Sequence, residues 1–97
     1  MNKLTIEKLK IAPYTLKRYE SKLNTYFFYN AKNDKIWKTD DVTGSVVATL
    51  DGTLDFESIV RELYKNSPDI PITELQEHFG KTFEFLLKEG YICENIG

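Results

Sequence analysis

The sequence predicts an α+β domain, an antiparallel β-sheet followed by three helices. Three observations carry this. Residues 25–39 hold two aromatic or β-branched runs around an Asn-Asp turn. Apolar residues then recur at helical spacing in three successive segments. Glycine or proline falls between those segments, where a helix must stop.

The elements follow in order. Pro13 punctuates the start, and residues 1–12 are expected to be a flexible lead-in to a single domain spanning 1–97. Residues 15–20 are a candidate first strand. Residues 25–31, TYFFYNA, fit a pleated, half-buried surface. Asn33-Asp34 is a turn signal, and residues 35–39, KIWKT, form the return strand of a β-hairpin. Side chains alternate along that strand, so Lys35, Trp37 and Thr39 share one face and Ile36 and Lys38 the other.

Asp40 or Asp41 is placed to cap the first helix, whose stripe is Val42, Val46, Val47 and Leu50. Leu50-Asp51-Gly52-Thr53 reads as a turn, with Gly52 as the helix stop. Thr53 or Asp55 caps the second helix, with Phe56, Ile59, Val60, Leu63 and Tyr64 inward. Prolines 68 and 71 end it. Thr73, with Gln76 three residues on, suggests a capping box for the third helix, which runs to about Lys88. Leu75, Phe79, Thr82 and Leu86 mark its buried centre; Phe83 and Leu87 widen it on one side, and His78 and Phe85 lie on the other. Gly90 stops it, and Tyr91-Ile92-Cys93 is a short extended tail. There is no internal repeat, linker or low-complexity segment.

Composition narrows the function. The 97 residues are 41% apolar and 13% aromatic, enough for one modest core with little volume left for a deep active site. No run approaches the roughly 18 apolar residues of a membrane span. The N-terminus lacks the apolar core of a secretory signal. A single cysteine, Cys93, forbids an internal disulfide. The expectation is a cytoplasmic protein with no membrane partner.

Chemistry-bearing motifs are absent from the sequence. His78 is the only histidine and has no second ligand near it, so neither a metal nor a cofactor is expected. The five glycines are scattered rather than gathered into a phosphate loop. No residue is assigned a catalytic role, and function is expected to lie in a surface.

That surface is unevenly charged. Residues 1–40 hold nine Lys/Arg and four acids, a net +5; residues 41–97 hold four bases and eleven acids, a net −7. A sheet followed by helices also describes a winged helix-turn-helix, which makes nucleic-acid binding the alternative function. The third helix would then enter the major groove, but it exposes Glu74, Glu77, Glu84 and Glu89 against Lys81 and Lys88, which a phosphate backbone repels. The basic hairpin aromatics Tyr26, Phe28 and Trp37 are candidates for RNA stacking, with core packing the commoner fate. Peptide binding by strand addition fits better. A short edge strand at 35–39 carries unpaired backbone groups, the groove to the third helix takes apolar side chains, and Lys35 and Lys38 attract acids.

One resemblance sharpens this. Thr43-Gly44-Ser45-Val46-Val47, Leu50-Asp51-Gly52-Thr53, Phe56-Glu57-Ser58-Ile59-Val60 and Phe85-Leu86-Leu87-Lys88-Glu89-Gly90-Tyr91-Ile92, in this order and spacing, resemble the PqqD-like family, the recognition elements for precursors of ribosomally made, modified peptides. The likeness covers roughly residues 25–92. Where the family has an apolar-Asn pair entering the first helix, this chain has Lys38-Thr39-Asp40-Asp41. The resemblance implies a winged-helix-like fold, with a three-stranded antiparallel sheet (the β-hairpin plus an N-terminal strand) followed by three helices. It implies non-catalytic binding of a precursor's leader segment as an added strand. The leader would be presented to a maturation enzyme such as a radical-SAM protein, a cyclodehydratase or a leader peptidase. By position it implies contacts from Lys35, Ile36, Trp37, Lys38 and Thr39 on the strand. On the helix it implies Leu75, His78, Phe79, Thr82 and Phe83, of which Leu75 and Phe79 also belong to the expected core.

Overall fold

The computed structural model describes residues 7–95. The elements run β1 (Lys8–Ile11), β2 (Thr15–Glu20), β3 (Thr25–Asn30), β4 (Lys35–Asp40), α1 (Asp41–Ala48), β5 (Asp51–Asp55), α2 (Phe56–Asn66), α3 (Ile72–Glu89) and β6 (Ile92–Asn95). They build two three-stranded antiparallel sheets, ordered β2-β3-β4 and β5-β1-β6. The α+β class holds. The winged-helix likeness is loose, because β5 separates α1 from α2 and the two ends of the described chain pair in a second sheet.

That second sheet departs from the sequence reading in three places. Residues 8–11, expected to be flexible, are its middle strand, and Leu9 is buried in the core; residues 1–6 of that lead-in lie outside the described residues. Residues 51–55 form a strand where a turn is expected. Gly52 has φ +89 and sits where the β1–β5 register shifts between Lys8 and Lys10, so it serves a β-bulge. A Cβ there would lie 2.5 Å from Asn95 Nδ2, which donates to the Gly52 carbonyl at 3.1 Å. The first helix therefore stops at Thr49, one turn before Gly52. The tail after Gly90 pairs with β1 from Ile11↔Ile92 to Lys8↔Asn95. An alternation too short and too polar to register as a strand becomes one because its partner strand is already buried.

Caps follow local chemistry. Asp40 accepts from Thr43 N at 2.7 Å and Asp55 from Ser58 N at 2.9 Å, each satisfying a free amide of a first turn. The Thr73–Gln76 capping box does not form. Helix α3 begins at Ile72 with Pro71 in the cap position and no side-chain cap bond, the fixed proline φ of −56° leading the chain into the helix. Gly90 ends α3 in the left-handed region at φ +82, as expected.

The core lies between the sheets and the helices. Phe28 of β3, Val47 of α1, Phe56 and Val60 of α2, Phe83 and Leu86 of α3, and Ile92 of β6 are its centre. Phe83 meets Phe56 edge-on at 5.7 Å between ring centroids, fixing α3 against α2. Along α3 the buried line is Leu75, Phe79, Phe83 and Leu86; Thr82, expected at its centre, is half-buried. Two polar ties fix the first sheet to the end of α3. Asn30, buried, donates to the Glu89 carbonyl at 2.9 Å while its Oδ1 accepts from Lys32 N at 2.9 Å. Thr15 Oγ1 donates to the Tyr91 carbonyl at 2.9 Å. Among the described residues, no helix is long and apolar enough to cross a membrane.

Candidate strand-addition site

Strand β4 pairs with β3 on one side only, so its other side is an open edge. Which of its backbone groups face outward follows from the ladder. Ala31 N donates to the Tyr14 carbonyl at 3.1 Å, which makes the neighbouring Thr15↔Asn30 pair a non-hydrogen-bonded one. Bonding directions alternate along an antiparallel strand. Asn30, Phe28 and Tyr26 therefore turn their N–H and C=O toward β4, where they meet Lys35, Trp37 and Thr39. The N–H and C=O of Ile36 and Lys38 are left pointing away from the sheet.

Helix α3 runs back alongside this edge. Lys35 Nζ is 3.9 Å from Glu89 Oε1. Trp37 lies 6.4 Å from Phe85, centroid to centroid. Just past the strand, Thr43 Oγ1 is 3.3 Å from His78 Nε2. The side of α3 turned to the edge is thus His78, Thr82, Phe85 and Glu89, one stripe at helical spacing. Thr82 Oγ1 donates to the His78 carbonyl within the helix at 3.0 Å, leaving its methyl for contact. A run of rings holds Trp37 in place: Tyr19–Tyr26 at 4.8 Å, Tyr26–Phe28 at 5.9 Å and Phe28–Trp37 at 5.4 Å, with Tyr91 6.3 Å from Trp37 on the other side. Burial, and then the Glu89 carboxylate, push the Tyr91 phenol above its ordinary value, so the ring stands at the site uncharged.

The expected site residues divide. Trp37 and Thr39 share the face of β4 that bears on the core, and His78 and Thr82 share the side of α3 turned toward it. Lys35 joins them through Glu89, in a long, exposed ion pair that contributes little. Ile36 and Lys38 present their side chains to the opposite face of the sheet and reach the edge through backbone alone. Leu75, Phe79 and Phe83 are 8%, 4% and 0% exposed, packed toward α2 and the core, so their side chains are not available to a ligand in this arrangement. The missing member is Phe85, 43% exposed beside Trp37. Its signal lay in the sequence: it stands seven residues after His78 and three after Thr82, on their side of the helix.

The arrangement offers main-chain hydrogen bonding with aromatic contacts and no reactive group. Among the described residues, no three His, Cys, Asp or Glu side chains gather to hold a metal ion. Comparison with protein-family models, with curated proteins and with solved structures found no match.

Proposed function

We propose that this protein binds an extended peptide as a fourth strand on β4. We further propose that the peptide is the leader segment of a ribosomally made precursor, held for a modifying enzyme. The observation that carries the reading is the outward pair of amide and carbonyl sets at Ile36 and Lys38, set beside the Trp37–Phe85 ring pair. A peptide strand would exchange hydrogen bonds with Ile36 and Lys38. Its residue opposite Trp37, between those two, would turn its side chain toward Trp37, Phe85 and the Thr82 methyl. Backbone pairing supplies affinity in this scheme, and the one inward side chain supplies selectivity. The sequence resemblance supports the leader as ligand and a radical-SAM protein, cyclodehydratase or leader peptidase as the recipient. In this reading the protein works in the cytoplasm and catalyses nothing itself.

Calorimetry and amide-shift titration with a synthetic leader, taken from a precursor reading frame neighbouring the gene, test this. Expected is micromolar binding, about −8 kcal/mol, with shifts confined to β4 and the His78–Phe85 side of α3. Binding weaker than about 100 μM, or shifts elsewhere, would sink the reading. Retention on DNA that falls steeply with salt would favour the nucleic-acid alternative instead.

A further inference from the structure

The opposite face of the β2-β3-β4 sheet breaks the usual rule for an antiparallel sheet, apolar inward and polar outward. Its first row is Leu16, Tyr29 and Ile36, and its second is Arg18, Phe27 and Lys38. Leu23, from the turn after β2, adds to it. Leu16, Leu23 and Ile36 are 63%, 64% and 65% exposed. Together with Phe27 and Tyr29 they line a depression of about 520 Å³. No element of the described chain covers it.

The charges around it are lopsided. Its acids are engaged: Glu20 with Arg18 at 3.1 Å, Asp34 with the Tyr29 hydroxyl at 2.5 Å, and Asp40 as the cap of α1. Among the described residues, Lys38 on the face and Lys22 beside Leu23 have no ion-pair partner. We infer that this face is a docking site for an acidic amphipathic helix of a partner protein. Three strands set about 4.8 Å apart span roughly 10 Å, the width of one helix. The apolar stripe of such a helix would fill the depression, and its flanking carboxylates would meet Lys22 and Lys38.

Two other occupants fit worse. A second copy of this chain would bring its own Lys22 and Lys38 to the same interface, with no acid left to answer them. A bilayer takes up protruding apolar groups, whereas this patch is concave and carries Glu20 and Asp40 at its far end. Docking here leaves the outward amides and carbonyls of β4 open, since the two surfaces meet only at Ile36 and Lys38, which give their side chains to one and their backbone to the other.

The probe is a synthetic helix with leucines at i, i+4, i+7 and i+11 flanked by glutamates, titrated into the isotopically labelled full chain. A lysine-flanked counterpart is run beside it. Expected are shifts at Leu16, Leu23, Phe27, Tyr29 and Ile36 with the acidic helix only. Paired Lys22→Glu and Lys38→Glu substitutions should weaken binding about tenfold, and Leu16→Ser should abolish it. All three positions are exposed, so the melting temperature should hold and certify the fold. Equal response to the two helices, or none up to millimolar, overturns the inference. So does self-association that Ile36→Ser abolishes, or capture by anionic vesicles that Leu16→Ser abolishes. None of these results bears on leader binding at the β4 edge.

Discussion

Replacing Gly44 by alanine should destabilise the protein, although it removes a glycine from a helix. An added Cβ would lie 2.5 Å from both Cβ and Cγ of Tyr26. Carbon atoms prefer 3.5–4.0 Å, so helix α1 must retreat by roughly 1 Å. The obstructing atoms are the root of a side chain fixed to β3, not a flexible tip that could swing aside. Overpacking of this kind costs about 1–3 kcal/mol, against about 0.5–1 kcal/mol gained from helix propensity. With the clash this close the cost lies in the upper half of that range, and the net loss is about 1–2.5 kcal/mol, or roughly 4–20 °C in Tm for a domain of this size. The control is Gly80→Ala in α3, where the nearest atom is Phe56 Cζ at an ordinary 3.7 Å. There the propensity term stands alone, and Tm should rise by about 2–8 °C. Thermal unfolding followed by circular dichroism reads both. Shifts of the same sign in the two variants would refute the reasoning, because only the Tyr26 contact separates them.

Further outcomes follow from the same geometry. Ile36→Pro removes an outward amide and should weaken leader binding by about 3–30-fold in calorimetry while the hairpin survives; Trp37→Pro removes a bond to β3 and should instead lower Tm. Phe85→Ala should reduce leader affinity with little change in urea midpoint, whereas Phe83→Ala, at the centre of the core, should cost about 3–5 kcal/mol in the same unfolding experiment. The Asp55 carboxyl is held below its ordinary value, first by the Ser58 amide it caps and then by the Ser58 side chain. A depressed carboxyl contributes stability above its unfolded pKa and loses it as pH falls through the folded one. Asp55→Asn should therefore flatten the decline in stability below about pH 4 while leaving stability near neutrality almost unchanged, Asn being as good a cap as Asp; an unaltered acid limb in pH-dependent unfolding would contradict this.

Much of the fold was legible locally. The hairpin announced itself through TYFFYNA, the Asn-Asp turn and KIWKT, and its register needs no distant partner. The three helices were legible from spacing, and at two of the three caps the aspartate that forms the cap was one of two candidates. The second sheet was not, because its three strands are four or five residues long and lie far apart in sequence. Residues 51–55, DGTLD, have no apolar alternation, and only the buried Leu9 strand makes them β. On α3 the spacing placed Leu75 and Phe79 in the core and His78 and Phe85 on the other side, as the structure has them. The resemblance, applied by position, put Leu75, Phe79 and Phe83 into the groove and left Phe85 out. A positional match carries nothing about how the helix is rotated against α2, where Phe56 meets Phe83.

The pairing of β1 with β6 has a consequence for how the chain assembles. Lys8 meets Asn95 across 87 residues, while the β3–β4 hairpin closes over a four-residue turn. The entropy of closing the longer loop exceeds that of the hairpin by about 3 kcal/mol. The hairpin that carries the open edge can therefore form while the rest of the chain is still being made, and β1 waits between its future neighbours until residues 92–95 have left the ribosome. During that interval β1 holds a bare edge that β6 later covers, whereas the outer edge of β4 stays open in the finished molecule.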